Sequence, residues 1–165
     1  MFLEPEKGLP KMPVPPYDQK EDLSLSRSAE FLLNECRMVL PGIQALFGFQ
    51  LIAVFNSGFF DMLDPVEQKF HLLALSLTAI AIAFVMTPAA FHRQTGPMRV
   101  TKEFIQLATR LLLWGMWPLL IALCIDFYLI ARLIVDGWAA SILTAVITAF
   151  FVSLWFIFPH TRRRP

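Results

Sequence analysis

The stretch FHLLALSLTAIAIAFVMTPAAF, residues 70–91, decides the fold class of this chain. It is apolar almost without interruption and can cross a hydrocarbon core about 30 Å thick, which takes roughly 20 helical residues. Three further stretches meet the same criterion, and the predicted spans cover residues 38–60, 70–91, 111–131 and 138–158. A helix satisfies its own backbone in lipid, and no stretch alternates with the period of two that barrel strands show. The sequence therefore predicts an all-α, polytopic membrane protein with four transmembrane helices.

The composition of the whole chain agrees with membrane insertion. Of its 165 residues, 56% are hydrophobic and 16% are charged, whereas soluble domains hold about 45–50% and about 25%. The formal net charge of +1 gives no reason to expect nucleic-acid binding, which needs a basic patch. Two cysteines cannot make a disulfide framework. No nucleotide-binding loop, metalloprotease motif or nucleophile elbow is present in the sequence, so we expect no enzyme activity, no catalytic residues and no metal site.

The positions of lysine and arginine predict the orientation, because cytoplasmic flanks carry their excess. Twelve of the fourteen basic residues precede the first span, separate the second from the third, or follow the fourth, which leaves Lys69 and Arg132. Both termini are therefore predicted to face the cytoplasm. Charged and apolar residues also interleave from Ser26 or Ser28, either of which could be an N-cap, and over residues 98–110. These patterns predict cytoplasmic amphipathic helical extensions before spans 1 and 3.

The segments outside the spans are short. Residues 1–25 are rich in proline and are predicted to form a disordered cytoplasmic tail, because proline lacks a backbone donor and disfavours helix before it. A proline-rich ligand for a partner domain is the alternative interpretation of this tail. Residues 26–160 are predicted to form one four-helix transmembrane domain, and residues 161–165 a basic cytoplasmic tail.

Two segments of the chain resemble a known family. NECRMVLPGIQALFGFQ, residues 34–50, is similar to the opening of a bacterial family of small four-span inner-membrane proteins catalogued as a domain of unknown function, and TPAAFHR, residues 87–93, resembles its second motif. The similarity extends over residues 26–159. Some relatives are automatically labelled sodium:proton antiporter. The resemblance implies a four-span fold in the bacterial inner membrane and little chemistry.

Asp126 is the acidic residue that falls within a predicted span. An ionised carboxylate in lipid is costly, and an intramembrane acid is by default a functional hypothesis. Such a group could exchange protons or bind a cation. The alternative is a shallow position, from which Asp126 reaches interfacial water or pairs with Arg132, although a separation of six residues does not place the two on one helical face.

The first span carries three further polar side chains. Gln44 shares a helical face with Gly48, and we expect this face to turn inward, where glutamine can bond another helix and glycine permits close approach. Gln50 and Asn56 point elsewhere. A helix that is polar on several sides favours a pore lining or an oligomer interface, with plain interhelical hydrogen bonding as the alternative. The candidate ion pathway therefore consists of Asp126, Gln44, Gln50 and Asn56.

Charged residues cluster at the predicted cytoplasmic ends of the helices. We expect them to form ion pairs that hold these ends together, with anionic lipid headgroups as competitors for the arginines. The members of this cytoplasmic ion-pair cluster are Glu35, Arg37, His92, Arg93 and Arg110.

Two histidines and two prolines complete the candidates. His92 and His160 both lie at cytoplasmic ends and could together hold a haem or a quinone, although solvated interfacial histidines are the simpler interpretation and we expect no cofactor. His71 is predicted at the opposite side and cannot join them. Pro41 and Pro118 are expected to kink the first and third spans.

These features leave three functional hypotheses. The first is a homo-oligomer in the lipid bilayer that conducts or transports a small cation or proton. The second is a non-enzymatic accessory or scaffolding subunit whose charged cytoplasmic ends and proline-rich tail dock a larger protein partner. The third is haem or quinone binding at His92 and His160.

Overall fold

A computed structural model describes residues 25–95 and 101–161, and within these residues every regular element is helical. The predicted disordered and basic tails and the first residues of the predicted extension before span 3 fall largely or wholly outside the described residues. The elements are α1 (Leu25–Val54), α2 (Phe59–Met62), α3 (Pro65–Thr95), α4 (Lys102–Ile134), α5 (Gly137–Val152), a π-helical segment (Ser153–Ile157) and α6 (Phe158–Thr161).

Four helical stretches are long and apolar enough to cross a membrane, which confirms the all-α four-span prediction. They are Leu25–Val54, Pro65–Gln94, Lys102–Ile134 and Gly137–Thr161. The chain is therefore a multi-pass membrane protein whose apolar helices fit a lipid bilayer. We call the end of the bundle where α1 meets α2 and α4 meets α5 the loop end, and the other the terminal end.

The first span ends earlier than the sequence predicted. Helix α1 stops at Val54, and the backbone N–H groups of Phe55 and Asn56 bond to carbonyls three residues earlier, at 3.1 and 3.2 Å. The Asn56 side chain then accepts a hydrogen bond from the Gly58 N–H at 3.1 Å. Such a local side-chain bond is typical of a turn. Asn56 therefore lies beyond the helix, so the prediction that it belongs to the first span is wrong.

The helix starts also differ from the sequence predictions. Ser26 and Ser28 lie inside α1, so neither is its N-cap. Helix α4 begins at Lys102, and the Thr101 hydroxyl caps it by accepting a hydrogen bond from the Phe104 N–H at 3.2 Å. Both α1 and α4 are continuous through Pro41 and Pro118, the predicted kink positions.

Helix α3 is the centre of the bundle. Its buried residues recur at alternating intervals of four and three, which places them on one continuous stripe. Helix α4 packs most extensively against α3, α1 packs mainly against α3, and α5 packs on α4. The buried stripe of α3 consists of Glu67, His71, Ala74, Thr78, Ala81, Val85 and Pro88.

Small residues line the contact between α3 and α4. Ala74, Thr78 and Ala81 of α3 are fully buried, and α4 buries Ala108, Gly115 and Ala122 at heptad spacing. A methyl group built on Gly115 would lie 3.1 Å from the Phe84 Cβ and 3.6 Å from the Ala81 carbonyl oxygen. Small residues allow two helix backbones to approach closely in lipid, where packing replaces the hydrophobic effect as the driving force.

The start of α3 carries a capping box. The Asp64 Oδ1 accepts hydrogen bonds from the N–H groups of Val66 and Glu67 at 2.8 and 2.9 Å, and the Glu67 Oε2 accepts one from the Asp64 N–H at 2.9 Å. Pro65 occupies the first helical position, where its missing N–H has no intrahelical partner to lose.

Asp64→Ala is expected to weaken this start, because two N–H groups lose their acceptor. The loss of an N-cap lowers the free energy of unfolding by about 1 kcal/mol, which corresponds to a melting-temperature decrease of roughly 2–4 °C. Thermal unfolding of the detergent-purified protein measures it. Asp64→Ser keeps a cap oxygen and is expected to stay close to wild type; an equal decrease in both variants would contradict the capping role.

Candidate functional site

Three polar side chains from three helices meet near the loop end. Gln50 comes from the last turns of α1, His71 from the second turn of α3, and Asp126 from the last third of α4. Gln50 is 4% exposed and His71 7% exposed, and the Asp126 side chain is 15% exposed. We call these residues the polar triad. It joins the three helices that share the core.

Gln50 contacts both other members of the polar triad. Its Nε2 donates a hydrogen bond to the Asp126 Oδ2 at 2.5 Å. Its backbone carbonyl lies 2.9 Å from the His71 Nε2. The His71 Nδ1 in turn lies 3.4 Å from the Asp126 Oδ1. The histidine is therefore held between a backbone carbonyl and a carboxylate.

This geometry determines where the protons of His71 lie. A carbonyl oxygen only accepts, so the Nε2 must carry the hydrogen that it donates to the Gln50 carbonyl. In a neutral imidazole the Nδ1 is then an acceptor, and it faces an acceptor oxygen of Asp126. Two facing lone pairs repel each other, so the stable arrangement has one more proton, on the Nδ1 or on the carboxyl group. A histidine held between two acceptor oxygens can in this way carry one additional proton.

A cavity opens beside the polar triad. Its volume is about 400 Å³, and its wall is mainly apolar, with Gln50, His71 and Asp126 as its polar groups together with Asn56. Its apolar lining includes Leu46, Phe49, Phe59, Met62, Leu129 and Leu133. The Phe59 ring meets His71 edge-on, with the ring centroids 5.2 Å apart.

Two buried acceptor atoms beside this cavity have no hydrogen-bond partner within the described residues. They are the Oε1 of Gln50 and the Oδ1 of Asp126, which lies 3.4 Å from the His71 Nδ1 and is without a donor when no proton lies between the two. A buried polar atom without a partner loses the full free energy of its hydration, on the order of 1–3 kcal/mol. In native proteins such an atom therefore requires an explanation, such as a bound water molecule, an ion or a ligand.

A separate ion pair lies closer to the loop end. The Arg132 guanidinium contacts the Glu67 carboxylate, which also belongs to the capping box. The alternative interpretation that Asp126 pairs with Arg132 is therefore wrong, because Glu67 takes that arginine and Asp126 faces His71 and Gln50. Helices α3 and α4 are thus connected at two levels, by an ion pair at the edge and by the polar triad beneath it.

The sequence predicted part of this site. Asp126 and Gln50 are brought together, and Asn56 lines the adjoining cavity. Gln44 is exposed on the outside of α1, so the prediction that its face turns inward is wrong. His71 was placed on the correct side relative to the other histidines, but its role beside Asp126 was missed. The spacing of Glu67, His71, Ala74 and Thr78 along one face was the signal that could have found it.

The predicted cytoplasmic cluster does not assemble. Among residues 25–95 and 101–161, the ion pairs are His71 with Asp126 and Glu67 with Arg132. The His92 ring packs near the ring of Phe104, with centroids 5.7 Å apart. Four members of the predicted cluster are exposed: Glu35, Arg37, Arg93 and Arg110.

The two predicted cofactor histidines do not share a cavity. His160 lines a separate cavity of about 300 Å³ with Trp114, Trp117 and Trp155, and His92 is not among the residues that line it. In the described part of the chain, no three side chains of histidine, cysteine, aspartate or glutamate come close enough to hold a metal ion.

The fold and the polar triad define a class, the small α-helical multi-pass membrane proteins with an ionisable site between their spans. The chain belongs to the family of unknown function DUF6328, whose model matches residues 18–159. This confirms the resemblance to a four-span family of unknown function. No curated protein and no solved structure matches the chain.

Proposed function

We propose that this protein exchanges a monovalent cation for a proton across the bacterial inner membrane, as a homo-oligomer with both termini in the cytoplasm. The observation that carries the proposal is the His71–Asp126 pair, which lies between three spans and whose facing acceptor atoms favour one additional proton. The class of integral membrane protein is established by the four apolar helices.

Charge balance supports exchange rather than simple binding. With its extra proton the His71–Asp126 pair has a net charge of zero. A monovalent cation that replaces this proton at the carboxylate leaves the net charge at zero again. Because a net charge within the membrane is costly, the site favours one ligand at a time, the proton or the cation. This is the requirement for coupling their movements in opposite directions.

The position of the cavity supports access from one side. The polar triad and its cavity lie near the loop end, and the fully buried Ala74, Thr78 and Ala81 continue the core toward the terminal end. The distribution of lysine and arginine predicts that the loop end faces away from the cytoplasm. A cation or proton would then enter from outside, and release to the cytoplasm requires a rearrangement of the helices.

The outer surface of the bundle supports a homo-oligomer. Gln44 is exposed in the middle of a spanning helix, and a methyl group built on the neighbouring Gly48 would meet nothing within 4 Å. An amide that faces lipid lacks hydrogen-bond partners, whereas the same face against a second copy gains them and allows close approach. Helix α5 is also peripheral, with only Ala140 buried.

Proton flux into vesicles tests the proposal. The purified protein is reconstituted with a pH-sensitive dye inside, and sodium, potassium or a protonated amine is added outside. Wild type is expected to change the internal pH with at least one of these cations, because the entering cation displaces a proton from the pair. Asp126→Asn is expected to show only the pH change seen in empty vesicles. The amide carries no negative charge and therefore balances neither the proton nor the cation.

Glu67→Gln is the matched control for this measurement. It makes the same acid-to-amide change at the same loop end of the bundle, on α3 instead of α4, keeps an oxygen for the capping box and lies outside the polar triad. We expect it to retain the flux. Equal flux in wild type, Asp126→Asn and empty vesicles with every cation overturns the proposal. Recovery of a stoichiometric second protein after purification in mild detergent would then favour the accessory-subunit hypothesis.

A further inference from the structure

Two acceptor atoms that lack a donor once the proton of the His71–Asp126 pair has left point to the chemistry of the ligand. The Gln50 Oε1 and the Asp126 Oδ1 are both buried, and both come from residues that line the same cavity. The amide oxygen of Gln50 only accepts hydrogen bonds, and a carboxyl oxygen of Asp126 donates one only when the group is protonated. A ligand that satisfies both must therefore bring hydrogen-bond donors, and one that neutralises the carboxylate must bring a positive charge.

The walls of the cavity select the remainder of the ligand. Phe49, Phe59, Leu129 and Leu133 provide apolar and aromatic surface next to the acceptors. A volume of about 400 Å³ falls in the range of roughly 300–1,000 Å³ that small-molecule sites occupy. A bare metal cation would leave this surface empty and would have few oxygen ligands. A small organic molecule with an apolar body fits both the size and the lining.

We propose that the cation exchanged at this site is a protonated amine with an apolar or aromatic body. Its N–H groups donate to the Gln50 Oε1 and the Asp126 Oδ1, and its body packs against Phe49 and Phe59. On binding, the amine takes the place of the proton shared by His71 and Asp126, which leaves to solvent. This inference rests on the proposed function and names the cargo of the same site.

Other ligand chemistries satisfy the site less completely. A quinone presents carbonyl oxygens, which are acceptors and would face the two unpartnered acceptors without a hydrogen between them. A quaternary ammonium carries the charge but no N–H donor. A neutral alcohol donates one hydrogen bond and leaves the carboxylate unbalanced once the proton has gone. Charge-assisted hydrogen bonds to a protonated amine are stronger than neutral ones, so the order of affinities is a direct test.

The other charged groups near this end do not substitute for the polar triad. Glu67 is already paired with Arg132 and shares the capping box with Asp64. The remaining charged residues of the loop end are exposed: Asp61, Asp64, Lys69 and Asp136. The carboxylate that lines the cavity is that of Asp126.

Calorimetric titration of the detergent-solubilised full chain tests the inference without any transport. The probes are 1-naphthylmethylamine, its alcohol 1-naphthalenemethanol and its trimethylammonium analogue, each corrected for titration into detergent alone. The amine is expected to bind at least about tenfold more tightly than either analogue, since each loses a charge-assisted hydrogen bond. Repeating the titration in two buffers that differ in ionisation heat reports the proton released on binding.

Two variants connect the binding to the polar triad. Asp126→Asn is expected to weaken amine binding at least about tenfold and to abolish the buffer-dependent heat. Gln50→Met keeps the length of the side chain and removes the second acceptor, so it is expected to weaken the amine more than the alcohol. Glu67→Gln is expected to bind like wild type. Unchanged melting temperatures establish that a variant which loses binding is folded.

The outcomes separate this inference from the proposed function. Equal binding of amine and alcohol, or amine binding that Asp126→Asn leaves unchanged, overturns the inference. Asp126-dependent proton flux driven by sodium or potassium, with no amine binding, overturns the inference and leaves the proposed function standing. Amine binding with proton release but no flux supports the inference and overturns the exchange of cations across the membrane.

Discussion

Gly115→Leu is expected to separate α3 from α4 and to lower the melting temperature of the purified protein on the order of 10 °C. The reason is the distance of 3.1 Å between the position of a Cβ at residue 115 and the Phe84 Cβ, with the Ala81 carbonyl oxygen at 3.6 Å. A leucine adds three more carbon atoms at this contact. Overpacking of a dense interface reduces the free energy of unfolding by about 1–3 kcal/mol, occasionally more.

This contact is a sensitive position because α3 and α4 form the largest interface of the bundle. Pushing them apart also exposes Ala81 and Thr78, which are fully buried. The polar triad lies farther along the same interface, with His71 on one helix and Asp126 on the other. Gly115→Leu is therefore expected to impair the site without changing any residue of it.

Gly42→Leu is the matched control for this prediction. A Cβ at residue 42 would meet nothing within 4 Å, although the residue also lies inside a spanning helix. Leucine favours helix over glycine by roughly 0.5–1 kcal/mol, so the melting temperature is expected to stay level or to rise slightly. Equal decreases in both variants, measured by thermal unfolding in the same detergent, would contradict close packing at Gly115.

The number of spans could be predicted from the sequence because it depends on hydrophobic length alone. Four apolar stretches suffice, and the structure has four helices that match them. The end of the first span could not be predicted in this way. The apolar Phe59 and Phe60 extend the hydropathy signal, whereas the helix stops at Val54 and the turn begins at Asn56. A local hydrogen bond therefore determines this boundary, and the mean hydropathy does not register it.

The partners of Asp126 could not be predicted in the same way. In lipid both the core-facing and the outer face of a helix can be apolar, so polarity does not tell which face packs inward. Gln44 and Gln50 are chemically identical on the same helix, and the structure buries only Gln50. The choice depends on the α1–α3 contact, which brings the Gln50 carbonyl to His71. Asp126 could be identified from the sequence of one span, whereas its partners could be identified only from the packing of three helices.

Removing either ionisable member of the polar triad is expected to destabilise the protein more than removing both. Asp126→Leu leaves His71 and the Gln50 amide without their acceptor, and His71→Leu leaves the Asp126 carboxylate without its counter-charge. Breaking a buried pair by deleting one partner lowers the free energy of unfolding by about 3–5 kcal/mol, whereas replacing both partners with apolar residues is often close to neutral.

The double variant His71→Leu/Asp126→Leu is therefore expected to lose less stability than either single variant, so the coupling between the two positions is larger than the loss in either single variant. Thermal or denaturant unfolding of the four proteins in one detergent measures this coupling. Cation-driven proton flux should behave differently and remain absent in the double variant, because neither the carboxylate nor the imidazole is left to hold the proton. If the pair were merely structural, stability and flux would recover together in the double variant. The separation of the two readouts distinguishes a site that exchanges protons from a polar contact that only joins α3 to α4.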